Sequence, residues 1–234
     1  MVAKSKGFFP RLWRLTKRVV IFLFFFQLFY ILLLKWVNPP ITLTQLASWV
    51  TGNGMHRDYV DMKDISPYAK LAVIASEDQL FPEHNGFDWK SIEKAMEHNL
   101  KKPERIKGAS TISQQVAKNV FLWQGRDWLR KGFEVYFTFM IEWIWGKKRI
   151  LEVYLNVAEM GKGVFGVEAA ARRNFDRSAD KLTRQQAAMI AACLPNPKLF
   201  TLRPLSSHVA RRYPWIMRQM NNLEDDADIQ ALIH

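Results

Sequence analysis

IASEDQLFPEHNGFD, residues 74–88, carries two adjacent carboxylates, Glu77 and Asp78, directly after an apolar run. Phe81, His84 and Gly86 follow within the same stretch. Two readings are open: the carboxylates form the solvated end of a helix, or one of them is held in a half-apolar cleft for proton transfer. The surrounding sequence has to decide between these readings.

This stretch lies at the end of a predicted helix. The helix begins at Ser66-Pro67, because serine caps helices and proline suits the first turn. Similar patterns predict further helices near 88–100, 109–122, 127–146, 148–158, 166–174, 183–193 and 206–222. The helix near 183 opens with a capping box, Thr183 to Gln186. Strand-like alternation never lasts more than a few residues, so we expect a mainly α fold. The acidic end, 224–228, is a candidate for disorder.

The charge of the chain is concentrated near its N-terminus. The 234 residues carry a net charge of +12, and seven basic residues but no acids lie in 1–36 (Lys4, Lys6, Arg11, Arg14, Lys17, Arg18 and Lys35). The remaining 198 residues hold 27 basic and 22 acidic residues, a net charge of +5. This local concentration argues against nucleic-acid binding. The single cysteine, Cys193, excludes an internal disulfide.

An apolar run, VVIFLFFFQLFYILLLKWV (19–37), explains that charge. As a helix it spans roughly 27 Å, about the thickness of a hydrocarbon core. Six basic residues precede it, which places the N-terminus in the cytoplasm. We prefer an uncleaved anchor to a signal peptide, because the run is long and no small-x-small site follows it. The chain is expected to divide into a cytoplasmic basic segment (1–18), a transmembrane anchor (19–37), a linker (38–65) and an exported domain (66–234).

GASTISQQVAKN (108–119) predicts a helix with an unusual polar face. Residues 110, 114 and 118 fall in one row at helical spacing, and an apolar row lies on the other side. An ordinary surface helix would usually carry Glu and Lys, whereas this face carries hydroxyls and amides, which suit sugar or phosphate oxygens. The candidate binding residues are Ser110, Gln114, Gln115, Lys118 and Asn119.

RKGFEVYFTFMIEWIWGKKR follows, with Arg130, Lys131 and Glu134 close enough on a helix to form ion pairs. A plain surface ion pair is the simpler reading of these charges. Nine aromatic residues occupy positions 121–145, more than one helix can bury. Leu129, Phe133, Phe137, Met140 and Ile144 make a core stripe at helical spacing. The aromatic residues left over, at 123, 128, 139, 143 and 145, predict an exposed patch that contacts a membrane or a ligand.

Two short motifs are set aside. GKGVFG (161–166) matches a dinucleotide fingerprint, but the segment before it reads as a helix rather than the strand that such a site needs. Ser91-x-x-Lys94 and Ser178-x-x-Lys181 match the S-x-x-K of penicillin-recognising enzymes. The S-D-N and K-T-G elements that should follow are missing from the sequence.

Five stretches together resemble the peptidoglycan glycosyltransferases of family 51, in their monofunctional, membrane-anchored branch. They are EDQLFPEHNG (77–86), GASTISQQVAKN (108–119), RKGFE (130–134), KKRILEVYLN (147–156) and AAMIAACLPNP (187–197). The resemblance covers about 68–201 and makes 66–234 the catalytic domain. It implies a lysozyme-like helical lobe beside a smaller apolar lobe that dips into the membrane. Residues 203–234 lie outside these motifs.

The resemblance also implies a reaction. Lipid II would be the substrate: the 4-hydroxyl of an incoming sugar attacks C1 of the growing chain, and polyprenyl pyrophosphate leaves. Glu77 would be the general base, and Glu134 the second glutamate, holding cations near the donor. Substrate-binding roles fall on Asp78, Phe81, His84, Ser110, Gln114, Gln115, Lys118, Asn119, Arg130 and Lys131. No cofactor is firmly implied. A Mg or Mn ion bridging the pyrophosphate stays open, although no protein ligand set for it is evident.

The resemblance further implies a bacterial inner-membrane protein whose catalytic domain lies outside, in the periplasm. Its expected partners are lipid II, the growing glycan chain and membrane lipids, with other cell-wall synthesis or division proteins as candidates. Two alternatives remain. A lytic enzyme acting on peptidoglycan would need an acid for the glycosidic oxygen but no pyrophosphate site. A membrane-tethered scaffold would explain the anchor and the aromatics but not the polar face.

Overall fold

The N-terminal unit, residues 1–38, is built on one long helix. The computed structural model describes residues 8–104, 106–125 and 127–234, so Lys4 and Lys6 of the basic segment lie outside the described residues. Helix α1 (Phe8–Leu33) is followed by turns at 34–36. By length and composition, Phe9–Leu33 is able to cross a membrane.

The second unit, Pro39–His234, is mainly α, as the sequence predicts. Its described residues form ten helices: α2 (Leu43–Val50), α3 (Pro67–Glu77), α4 (Trp89–Lys101), α5 (Ile112–Phe121), α6 (Trp128–Ile144), α7 (Lys147–Val157), α8 (Val167–Phe175), α9 (Arg184–Ala191), α10 (Ser207–Leu223) and α11 (Ala227–Ile233). Every helix expected from residue 66 onward is present. The segment expected as a linker, 38–65, includes α2.

Helix caps place several of these helices as predicted. The Ser66 hydroxyl accepts a hydrogen bond from the N–H of Tyr68, and Pro67 stands in the first turn of α3. Thr183 and Gln186 form the expected capping box of α9. A second capping box, which the sequence analysis overlooked, joins Thr111 to Gln114 at the start of α5.

A small sheet was not predicted. Strand β1 (His56–Arg57) pairs in parallel with β3 (Val164–Phe165), and β2 (Glu159–Gly161) pairs antiparallel with β3. Strands of two or three residues are too short to show alternation. Gly163 has a φ of +65°, and a Cβ there would lie 2.1 Å from the carbonyl oxygen of Asn53. Only glycine fits this contact, which brings the chain near 53 against the β2–β3 turn.

Helix α3 lies at the centre of the second unit. All seven residues from Ala69 to Ala75 are buried, as expected for a helix enclosed on every side. It packs against α9, α10 and α11, while α5 packs against α6 and α7. The buried part of α3 ends just before Glu77, so a rigid central helix fixes the position of this carboxylate.

The expectation of disorder at the acidic end is wrong. The Asp226 carboxylate accepts hydrogen bonds from the N–H groups of Asp228 and Ile229 and so caps α11. The Nζ of buried Lys70 donates a 2.8 Å hydrogen bond to the carbonyl oxygen of Ile233 and attaches α11 to α3. Acidic residues act here as helix caps and ion-pair partners, which composition alone does not reveal.

Candidate active site

A cleft of about 900 Å³ opens in the second unit beside the end of α3. Its walls come from the end of α3, one face of α4, the loop before α5 and α5 itself. Five residues predicted as site residues line it, namely Glu77, Asp78, Ser110, Gln115 and Lys118. Residues of the stretch 74–88 and of the polar face around α5 therefore line the same cleft.

Glu77 is held in the cleft wall by two side chains. Gln115 Nε2 donates a 2.9 Å hydrogen bond to Glu77 Oε2, and Ser76 Oγ donates a 3.3 Å bond to Oε1. Burial raises the pKa of Glu77, and the charge of Asp78 adds to the rise, whereas both hydrogen bonds and the charge of Arg212 oppose it. A carboxyl with a raised pKa in a cleft is suited to proton transfer.

Asp78 and His84 brace the loop that follows Glu77. The Asp78 carboxylate accepts a hydrogen bond from His84 Nε2, at 2.9 Å to one oxygen, and its Oδ2 accepts a 2.9 Å bond from the N–H of Ile112. His84 Nδ1 accepts from the N–H of Gly86 at 3.1 Å, so the ring proton is on Nε2. Phe81 is fully buried and meets the His84 ring edge-on. Phe81 and His84 do not line the cleft. They stabilise the loop that follows Glu77 instead.

A cationic cluster occupies the start of α6. Glu134 pairs with Arg130 Nη1 at 2.6 Å and with Lys131 Nζ at 2.5 Å. Both carboxylate oxygens of Glu134 therefore pair with cations. Its role at the donor site stays a prediction. Arg130 Nε is buried and has no hydrogen-bond partner among the described residues.

Lys118 connects this cluster electrostatically to Glu77. Burial lowers the pKa of Lys118; the charges of Glu134 and Glu77 raise it, and those of Arg130 and Lys131 lower it. Lys118 lines the cleft, and the charges of the candidate base and of the α6 cluster therefore both act on its pKa.

The predicted polar row is wrong at Ser110. Helix α5 begins at Ile112, so Ser110 belongs to the preceding loop, where it is exposed in the cleft wall. Gln114 is buried, and its Oε1 accepts from the N–H of Thr111. Gln115 instead contacts Glu77. Asn119 is also buried and does not line the cleft.

The large apolar residues on and around α6 are distributed between core and surface differently from the prediction. Trp128 is 93% exposed and Trp143 76% exposed, as expected for a surface patch. Leu129 and Phe133, assigned to the core stripe, are exposed, whereas Trp145, assigned to the patch, is only 6% exposed. The stripe and the patch share the same helical spacing, so periodicity could not separate them.

Several residues around the cleft were missed by the sequence analysis. Tyr154 of α7 is fully buried, and its hydroxyl donates a 3.3 Å hydrogen bond to Gln115 Oε1. Arg212 of α10 packs on the Trp215 ring and acts on Glu77 through its charge. The cleft is also lined by Lys94, His98 and Lys107. The four-residue spacing of Lys94 and His98 was a usable signal for a shared helix face.

The described part of the chain has no group of three or more His, Cys, Asp or Glu side chains placed to hold a metal ion. The expectation that a Mg or Mn ion bridges the pyrophosphate stays a prediction.

Comparison with known proteins identifies the family. A family model described as "Transglycosylase" matches residues 44–221. A protein named "Biosynthetic peptidoglycan transglycosylase" from Yersinia pestis (strain Pestoides F) is 50% identical over 230 residues, 95% of each chain. One of the same name from Shigella boydii serotype 4 (strain Sb227) is 57% identical over 189 residues, 80% of this chain and 78% of that one. With its cleft, its partly buried glutamate and these relatives, the chain belongs to the transglycosylase family.

Proposed function

We propose that this chain polymerises lipid II into β-1,4 glycan strands of peptidoglycan, with Glu77 as the general base. Family membership and the names of the relatives support the coarser statement, a transglycosylase that builds peptidoglycan. The observation that carries the finer proposal is the position of Glu77 in the cleft wall, with Lys118 lining the same cleft. A base and a cation are what such a transfer needs at its two reacting ends.

The base is needed because the attacking group is a sugar hydroxyl, whose pKa lies far above neutrality. Glu77 accepts its proton as the oxygen attacks C1 of the donor sugar. A carboxylate of raised pKa is a stronger base than a solvated one. Attack opposite the leaving group converts an α-linked donor into a β-1,4 product without a covalent enzyme intermediate.

The leaving pyrophosphate needs positive charge rather than an acid. Lys118 provides it in the cleft, and Arg130 and Lys131 extend it along α6. Glu134 fixes the two α6 cations in place through its 2.6 Å and 2.5 Å ion pairs. Ser110 contributes a hydroxyl at the cleft wall for sugar or phosphate oxygens. A Mg or Mn ion, where one takes part, would be bound by the pyrophosphate oxygens.

A lytic enzyme on the same polymer is the nearest rival. It would also use a glutamate of raised pKa, but as an acid toward a glycosidic oxygen. The cations beside Glu77 favour a pyrophosphate leaving group over a sugar. A non-catalytic scaffold is disfavoured because it has no need of a partly buried, hydrogen-bonded carboxylate that lines an open cleft.

The proposed location is the outer face of the bacterial inner membrane. Helix α1 anchors the chain, and the basic residues before position 19 favour a cytoplasmic N-terminus. The exposed part of α6 around Trp128 and Trp143 is suited to contact membrane lipids close to a lipid-linked substrate. Other cell-wall synthesis or division proteins are candidate partners in the periplasm.

The test is a polymerisation assay in detergent with labelled lipid II and separation of products by size. Wild type is expected to form long glycan, and Glu77→Gln to form essentially none. Glu93→Gln, the same chemical change at an exposed position on α4, is the matched control and should polymerise like wild type. Full activity of Glu77→Gln would refute the base assignment. Shortening of preformed glycan by wild type would favour the lytic rival.

A further inference from the structure

A continuous line of hydrogen bonds runs from the core of the second unit to the candidate base. The Tyr154 hydroxyl donates to Gln115 Oε1 across 3.3 Å, and Gln115 Nε2 donates to Glu77 Oε2 across 2.9 Å. Three helices contribute one residue each, α7, α5 and α3. Both ends of the Gln115 amide are therefore occupied by protein groups, which leaves this side chain little freedom to bind substrate.

The two ends of an amide are chemically different, so its orientation matters. Rotating the Gln115 amide by half a turn would place Oε1 against the Glu77 carboxylate, oxygen facing oxygen. It would also deprive the Tyr154 proton of its acceptor in a fully buried position. Burial raises the pKa of Tyr154 well above its ordinary value, with the charges of Glu77 and Asp78 adding to the rise. The phenol therefore keeps its proton and remains a donor.

We propose that Tyr154 is a positioning residue, which holds the Gln115 amide so that its N–H group always faces the Glu77 carboxylate. The inference rests on the proposed role of Glu77 as the base. A fixed donor stabilises the ionised carboxylate and opposes the effect of burial, so it keeps the base ionised at the pH of the reaction. Without the phenol the amide loses its preferred orientation and no longer offers a fixed donor. The protonated form of Glu77 then becomes more favourable relative to the ionised form.

Other charges also face Glu77 and are unchanged by a substitution at Tyr154. Asp78 follows it directly after the end of α3, Lys118 lies on α5, and Arg212 lies on α10. Burial is the largest influence on the Glu77 pKa; the charge of Arg212 opposes the rise and the charge of Asp78 adds to it. The proposal concerns the additional shift that the orientation of one amide produces.

The experiment measures kcat and KM for lipid II against pH in wild type and Tyr154→Phe. We expect the acidic limb of the kcat profile to move up by about one pH unit, a typical size for a perturbation in a folded protein. At the acidic end kcat should fall about tenfold, and at the alkaline end it should approach wild type. KM should stay within about twofold because no substrate contact is removed. A profile identical to that of wild type would overturn the proposal.

Tyr68→Phe is the matched control, since it removes the same atom from an exposed tyrosine away from the cleft. It should leave the profile unchanged. A purely structural role for Tyr154 would lower kcat equally at every pH and lower the melting temperature in proportion. A uniform loss of that kind would count against positioning.

A double-mutant cycle tests whether Tyr154 acts through Gln115. Gln115→Met removes the amide, so adding Tyr154→Phe to it should change the profile little further. Additive effects of the two changes would show that Tyr154 acts by another route. The pKa of the Glu77 carboxyl, measured by carbon NMR without turnover, gives a readout independent of catalysis. If Glu77→Gln polymerised normally while this pKa still rose in Tyr154→Phe, the base assignment would fail and the positioning effect would stand.

Discussion

The Asp78 carboxylate accepts a 2.9 Å hydrogen bond from the backbone N–H of Ile112 and so joins the end of α3 to the first turn of α5. The same carboxylate accepts from His84 Nε2. One buried side chain thereby sets the distance between the helix that carries Glu77 and the helix that carries Gln115 and Lys118. The shape of the cleft depends on this link.

Replacing Asp78 should therefore damage stability and activity together. Asp78→Ala leaves the donors of Ile112 and His84 unsatisfied, which should cost about 2–4 kcal/mol of unfolding free energy. Asp78→Asn keeps one oxygen and should cost less. Denaturant unfolding measures both, with exposed Asp61→Ala as the control. A cost for Asp78→Ala within about 0.5 kcal/mol, the range typical of surface changes, would show that the link is dispensable.

Two glycines should respond to alanine in opposite ways. Gly86 has a φ of +89°, and an added Cβ would lie 2.7 Å from Thr138 Cγ2. Gly86→Ala should destabilise the domain by about 1–3 kcal/mol. Gly132 is within α6, and an added Cβ would meet nothing within 4 Å. Gly132→Ala should stabilise the domain by about 0.5–1 kcal/mol. Thermal unfolding of the pair checks both signs, and equal effects would contradict this explanation.

Lys118 should matter for turnover but not for folding. Lys118→Ala removes the cation that faces both Glu77 and the α6 cluster, and kcat should fall by about 10²–10³-fold, the usual loss for one electrostatic group at a reacting centre. Lys118→Arg keeps the charge and should recover part of the rate. Exposed Lys162→Ala is the control. Unchanged kinetics in Lys118→Ala, with an intact fold, would remove Lys118 from the leaving-group site.

Glu77→Gln should be more stable than wild type at neutral pH. Burial raises the pKa of Glu77 above its ordinary value of 4.5, so the folded state holds the proton more tightly than the unfolded chain. The resulting stabilisation is complete below the unfolded pKa and is lost as pH rises through the raised pKa. Above the raised pKa the carboxylate is ionised while partly desolvated, and glutamine avoids the cost of that desolvation. Melting temperatures at neutral and acidic pH measure this. Glu77→Gln should exceed wild type at neutral pH only, and an equal or lower value there would contradict the prediction.

Activity should depend on the same titration of Glu77, but it should rise with pH where the stabilisation falls. The base must be ionised to accept a proton, so kcat should fall as pH decreases through the raised pKa of Glu77. The midpoint of this fall should lie above 4.5, the ordinary value for a glutamate. Initial rates with saturating lipid II over the acidic range provide the measurement. An acidic limb at or below 4.5 would show that a solvated carboxylate, rather than Glu77, controls the rate.

The helices and the candidate base were predictable because their signals are local. Ser66-Pro67 and the Thr183 capping box define helix starts within four residues of sequence. Glu77 stands out because two carboxylates follow an apolar helix directly. The fold class and the candidacy of Glu77 therefore needed no information from distant parts of the chain, whereas its role as the base comes from the resemblance of five separate stretches and stays a prediction.

The remaining features depend on contacts between distant residues. Gln114 and Gln115 are adjacent amides, and the one that faces Glu77 is decided by the capping box of Thr111 and by Tyr154 on another helix. Arg212 reaches the site from α10, far along the sequence. No pattern within a short window encodes such contacts.

The small sheet has a consequence for the order in which the chain matures. His56 pairs with Val164 and Arg57 with Phe165, so β1 waits for a partner 108 positions later in the sequence. A chain made from its N-terminus exposes β1 long before β3 arrives, and pairing between such distant segments is slow. Strand β1 thus stays unpaired until residue 165 has been made, and α3 waits longer still, because its partners α9, α10 and α11 come later in the sequence.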